Sequence, residues 1–195
     1  MELTKIDAVI FDMDGLMIDS EPLWHIAEQE CFGAVGLSLS TAQCEETTGL
    51  RIDEVVELRF AQSPWTGATV REVTENIIAK MTTLLHSDVK PLPGILNLLG
   101  RLHEARIPLA LASSSPTVLI DAALDGLGLR HYFAQVVSAE GLAYGKPHPE
   151  VYLNAATALG VAPHRCLGKF YSVPCLLLQL LITPSLSAHT RVCVR

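Results

Sequence analysis

Apolar positions along this chain follow two different rhythms. Short apolar runs occur at 6–11 (broken only by Asp7), 109–112 and 136–137, and another starts at 165–167. Runs of this length suit strands buried on both faces of a parallel sheet. Between them the apolar residues recur with a helical period. Val70, Val73, Ile77, Ile78, Met81, Leu84 and Leu85 are the clearest case. Ser20-Glu21-Pro22 reads as a helix start, and Ser40 with Gln43 and Thr69 with Glu72 match the capping box. From residue 20 to about 87 the signals are helical only. The pattern changes at Pro91-Leu92-Pro93-Gly94. Beyond it come a helix over 95–105, the strand at 109–112 and a helix from Ser115-Pro116 to about Gly126. The strand at 136–137, a helix over 149–159 and the strand from 165 complete the series.

Strands alternating with helices predict an α/β fold, a doubly wound, Rossmann-like parallel sheet covered on both faces. The expected organisation is an α/β core built from 1–17 and 88–167, with an all-helical cap inserted over 18–87. Composition fits such a fold. Of 195 residues, 49% are hydrophobic and 18% charged, enough apolar material for a core and too much for disorder. The net charge of −7 argues against a nucleic-acid partner. Five cysteines without a C-x-x-C pair read as reduced thiols, and the first residues show no basic-then-apolar leader. The longest apolar run, 175–182, is too short to span a bilayer. A cytoplasmic monomer without a membrane or nucleic-acid partner is therefore expected.

Three short motifs carry candidate chemistry. Asp12-Met13-Asp14-Gly15 follows the first strand, where open α/β sheets place their ligands. One carboxylate there can attack phosphorus while the other handles protons, although taken alone the motif also suits a solvated turn. Ser113-Ser114-Ser115 follows the next strand and leads into a helix, a place where hydroxyls and amides can cradle phosphate oxygens. Ordinary capping by Ser115 also fits this segment, but it leaves Ser113 unexplained. Lys146 stands in the stiff loop Gly145-Lys146-Pro147-His148-Pro149, from which an ammonium can neutralise a phosphate. A lone loop lysine is more often a solvated surface group; the order of the three motifs favours the site.

Together these motifs resemble the haloacid dehalogenase superfamily over roughly residues 5–167. The resemblance is nearest to bacterial sugar-phosphate phosphatases, of the 2-deoxyglucose-6-phosphatase or hexitol phosphatase kind. Phe11 to Leu16, Ile18 to Trp24, Gly49 to Asp53 and Lys146 to Pro149 carry it. It implies Mg²⁺-dependent hydrolysis of a small phosphate ester through an aspartyl-phosphate. Asp12 would be the nucleophile and Asp14 the general acid and base, and both would hold the metal. Ser113, Ser114 and Lys146 would bind the phosphoryl group, and Trp24 and Arg51 are candidate substrate contacts. Trp24 stands where related β-phosphoglucomutases carry histidine, which favours hydrolysis over transfer between hexose positions, while the adjacent His25 points the other way. A hexose phosphomutase, or a non-catalytic remnant that at most binds phosphorylated ligands, are the alternative readings. A receiver-like domain is disfavoured by the long helical insertion.

The chain departs from the pattern after Leu167. The family continues there into an acidic pair that completes the metal site, whereas this chain reads Gly168-Lys169-Phe170-Tyr171. No Asp or Glu follows Glu150, so a third metal ligand is not found and activity is expected to be impaired or absent in this chain. Residues 168–195 are therefore expected to be an atypical tail of frame-shifted origin, with the last core strands lost. A translation of the other two reading frames that yields no strand followed by an acidic pair would overturn that origin.

Overall fold

A computed structural model describes residues 6–168 of the chain. Strands β1 (Ala8–Phe11), β2 (Leu109–Ser113), β3 (Gln135–Ser138) and β4 (Cys166–Gly168) form one parallel sheet in the order β3-β2-β1-β4. The two central strands, β1 and β2, are buried at every residue, which is why their sequences are continuous apolar runs. Strand alternation sorts their side chains between two clusters. Val9, Phe11, Leu109 and Leu111 share the larger one with α5 (Ile95–Glu104) and α6 (Thr117–Gly126). Ile10, Ala110 and Ala112 meet Val151, Tyr152, Ala155 and Ala156 of α7 (Glu150–Leu159) in the smaller one. Helices thus cover both faces, as the α/β pattern predicts. The strand expected from residue 165 forms, pairing with β1 in the register Val9 to Leu167. The expectations about the tail lie, from residue 169 onward, outside the described residues.

Four helices fill the stretch between β1 and α5: α1 (Glu21–Ala34), α2 (Thr41–Glu45), α3 (Ile52–Gln62) and α4 (Val70–Asp88). Both capping boxes close. The Ser40 hydroxyl accepts from the Gln43 N–H at 3.3 Å while Gln43 Oε1 accepts from the Ser40 N–H at 2.9 Å. Thr69 and Glu72 do the same at 3.2 and 2.7 Å. The periodic stripe of α4 turns Val73, Ile77, Met81 and Leu85 inward, and the helix packs on α1, α3 and α6. The chain passes between sheet and helical segment twice, and the two crossings run side by side. Ile18 bridges to Pro91, and the Leu92 N–H donates to the Met17 carbonyl at 2.8 Å. One apolar cluster extends from Phe11 on the sheet to Phe32 and Trp65 among the helices. No helix of the described residues is long and apolar enough to cross a membrane.

This packing sets a test of the core. Ile77→Ala, at a fully buried position, is expected to cost about 2–4 kcal/mol in a urea unfolding measurement. Leu96→Ala, on the exposed side of α5, is expected to stay within about 0.5 kcal/mol of the parent.

Candidate active site

The site is assembled from backbone turns at the carboxyl ends of β1 and β2 and from the loop before α7. Asp12 and Asp14 leave β1 in a tight turn in which Gly15 takes a positive φ of 68° and its N–H donates to the Ile18 carbonyl at 2.9 Å. A side chain at 15 would be strained there. Ser113 ends β2 one strand over, and Lys146 reaches in from the loop between β3 and α7. Lys146 Nζ donates to Asp12 Oδ1 at 2.6 Å, and both side chains are almost wholly buried. The Met13 N–H donates to the same oxygen at 2.8 Å. Burial is the largest influence on Asp12 and raises its pKa above the ordinary carboxylate value. Lys146 opposes this, Asp14 adds to it, and the net direction is upward.

Asp14 sits in a cage of donors. Ser20 Oγ at 2.5 Å and Trp24 Nε1 at 3.4 Å donate to Oδ1, while Ser115 Oγ at 2.8 Å and Ser113 Oγ at 3.2 Å donate to Oδ2. Two expectations change here. Ser20 and Ser115 read as helix caps, yet neither side chain caps: Ser20 occupies the N-cap of α1 without a cap bond, and the N-cap of α6 is Pro116. A partly buried carboxylate close by is a stronger acceptor of a hydroxyl proton than a capping geometry is a competitor for it. Ser113 Oγ also accepts from the Ser115 N–H at 3.0 Å, which fixes the serine turn beneath the carboxylate.

The remaining candidates hold the helical segment to the sheet. Ser114 Oγ donates to the Gly49 carbonyl at 3.0 Å. The Arg51 guanidinium donates to the Leu142 carbonyl at 2.6 Å and the Ala139 carbonyl at 3.3 Å, and pairs with Glu54 and Asp53 at 3.2 and 3.4 Å. Glu54 lies against the loop before Lys146, where a Cβ added at Gly145 would meet Glu54 Oε2 at 2.6 Å. Asp12, Asp14, Trp24, Ser114 and Lys146 line one cavity. Ser113 lies just behind it, and Arg51 is not among its lining residues.

The far wall of that cavity was not legible as a site in the sequence. Helix α1 turns Glu21, Trp24, His25 and Glu28 toward it, spaced to share one face. Glu28 is 6% exposed, and burial, the largest influence, pushes its pKa up to about 7; nearby Glu21 raises it as well, while Cys44 and Arg59 pull it down. Tyr152, beneath Lys146 with the ammonium 5.4 Å from its ring centroid, has its phenol pushed upward by burial first and the Asp12 charge second. Neither Glu28 nor Tyr152 sits in a recognisable motif. Helical spacing from Trp24 is the one signal that could have found Glu28.

The Mg²⁺ implied by the resemblance finds an incomplete set of ligands. Asp12 Oδ1 already accepts from Lys146 and Met13, and both Asp14 carboxylate oxygens are occupied by donors. Among the described residues no group of three His, Cys, Asp or Glu side chains could hold a metal ion. Mg²⁺ asks for near-octahedral oxygen coordination, which Asp12 and the Asp14 carbonyl do not make up alone. The positive charge that the described residues place beside these carboxylates is that of Lys146.

Glu28 makes the pH dependence of stability testable. Its folded pKa of about 7 lies above the 4.5 of a free glutamate, so the protonated form favours the fold. That contribution is whole below pH 4.5 and is lost as pH rises through 7. Glu28→Gln, which mimics the protonated group, is expected to exceed the parent in stability by up to about 3 kcal/mol at high pH. Near pH 4.5 the two are expected to be level, measured by urea unfolding at both values.

Over 170 residues the chain is 43% identical to hexitol phosphatase B of Escherichia coli strain K12, covering 87% of this chain and 77% of that one. It is 34% identical to the fructose-1-phosphate phosphatase YqaB of the same strain, covering 82% and 83%. The fold superimposes with a TM-score of 0.73 on β-phosphoglucomutase from Clostridium difficile, at 27% identity and over 83% and 74% of the two chains. A sequence profile of the haloacid dehalogenase-like hydrolases matches residues 9–167, a span that contains both aspartates, the serine turn and the lysine loop. The chain belongs to the haloacid dehalogenase-like hydrolase family.

Proposed function

We propose that this chain is a phosphatase for small sugar phosphates, of the hexose and hexitol phosphate class, working through an aspartyl-phosphate on Asp12. The observation that carries this reading is the buried 2.6 Å pair of Lys146 and Asp12 beside the caged Asp14. Relatives named for hexitols and for fructose 1-phosphate support the substrate class.

In this reading the Asp12 carboxylate attacks phosphorus and the ester P–O bond breaks. The leaving alkoxide takes the proton carried by the Asp14 carboxyl. Asp14 then removes a proton from a water molecule, whose oxygen attacks the phosphoryl group. The bond to Asp12 breaks, phosphate is released and the nucleophile is restored. Lys146 offsets the charge that gathers on the phosphoryl oxygens, and Ser113 and the Ser114 amide orient them. Trp24 and Ser20 hold Asp14 in one orientation. The helical segment 18–87 acts as a cap hinged where Met17 and Ile18 meet Pro91 and Leu92. Arg51 is the strut that seats it, through the Ala139 and Leu142 carbonyls. Localisation in the cytoplasm and a monomeric state accompany this proposal.

The test is phosphate release from a panel of hexose and hexitol phosphates by the 195-residue chain, with and without added Mg²⁺. Asp12→Asn is expected to lower release by roughly a thousandfold or more, and Lys146→Ala by about a hundredfold. Release that survives Asp12→Asn would sink the aspartyl-phosphate mechanism. Conversion of glucose 1-phosphate to the 6-phosphate without free phosphate would replace hydrolysis by mutase chemistry. No release from folded parent protein would leave the non-catalytic reading.

A further inference from the structure

A buried carboxylate oxygen without a partner is rare in a folded protein, because the lost hydrogen bonds to water are not replaced. Two such side-chain atoms lie on the cavity face of α1. Glu28 Oε2 and His25 Nε2 are buried and have no hydrogen-bond partner among the described residues, although the Glu28 carboxyl also interacts with the Cys44 thiol and His25 Nε2 lies 4.0 Å from Glu21 Oε2. Both side chains line the same cavity as Asp12, Asp14 and Lys146. Arg59, the nearest cation to Glu28 on α3, does not pair with it. Its terminal nitrogens go to the Gln43 carbonyl, Gln62 Oε1 and Glu46.

Position along α1 gives these atoms their meaning. Trp24, in the first turn, touches Asp14 at the phosphoryl end. Glu28 lies one helical turn further on, about 6 Å along the axis and away from that end. The same cavity is lined by Thr47 and Thr48, whose hydroxyls already donate to the Cys44 carbonyl and to Glu21 Oε2. Each threonine oxygen therefore faces an incoming group mainly as an acceptor. A wall of acceptors with one imidazole that can give or take a proton matches alcohol hydroxyls, which donate and accept at once.

Resting on the phosphatase reading above, we propose that Glu28, assisted by His25, is the specificity-determining residue that binds the far hydroxyl groups of a polyhydroxylated phosphate ester. The site discriminates chain-end hydroxyls from bare alkyl groups because a hydroxyl satisfies Glu28 Oε2, whereas a methyl group leaves it unpaired. The same position explains why a carboxyl that costs the fold stability at neutral pH is kept among apolar neighbours such as Ile52 and Val55.

The experiment is isothermal titration of the full chain with a hexitol 6-phosphate and with propyl phosphate. It compares the parent, Glu28→Leu and Glu28→Gln, with thermal unfolding recorded for each. The parent is expected to prefer the hexitol ester. Glu28→Leu is expected to shrink that preference about tenfold to a hundredfold. Glu28→Gln, which keeps the shape and one acceptor, moves the same way by less and decides the matter if the leucine variant does not fold. An unaltered preference in the folded variants overturns the proposal, as does a parent that binds both esters equally or binds neither. Phosphate release is followed in parallel. Its absence from both esters with the binding preference intact removes the hydrolase reading and leaves the assignment of Glu28 standing.

Discussion

The buried ion pair between Lys146 and Asp12 is the contact on which the rest of the site depends. Two carboxylates stand two residues apart at the end of one strand, and the Asp14 charge adds to the upward shift that burial imposes on Asp12. A single ammonium at 2.6 Å offsets part of that shift and joins the end of β1 to the loop that starts α7. Removing one member of such a pair leaves a buried charge without compensation, which costs more than the pair itself contributes. The parallel sheet makes the pair possible: β1 lies between β2 and β4, so residues distant in sequence share its carboxyl edge.

Asp14 shows a second solution to the same electrostatic problem. It is held by three hydroxyls and an indole, neutral donors from β1–α1, β2–α6 and the first turn of α1. One aspartate is thus matched by charge and the other by hydrogen bonds. In the proposed mechanism the first is the nucleophile and the second the proton carrier. Among the described residues the Mg²⁺ ligand set is incomplete, and the cation paired with Asp12 is Lys146. Across the cavity, burial raises the pKa of Glu28 by more than Cys44 and Arg59 lower it.

The helical segment is more firmly joined to the sheet than an inserted cap needs to be. One apolar cluster runs through both, α4 packs on α6, and Ser114, Arg51 and Glu54 add polar ties at the cavity rim.

The sequence by itself determined the elements and the chemistry-bearing positions. Continuous apolar runs at β1 and β2, the stripe on α4 and two capping boxes are local properties, set by burial on two faces or by a four-residue reach. The motifs at Asp12 and Asp14 and at Ser113 were legible because they stand at the ends of apolar strands, and Lys146 because its loop is rich in proline. Only the tertiary structure decided the partners. Ser20 and Ser115 look like caps until Asp14 lies within reach of both, and Arg51 looks like a substrate contact until carbonyls some 90 residues away, at Ala139 and Leu142, receive it. Glu28 is an ordinary helical glutamate in sequence. Its character comes from packing that removes water from one oxygen without supplying a donor, and no local pattern encodes that.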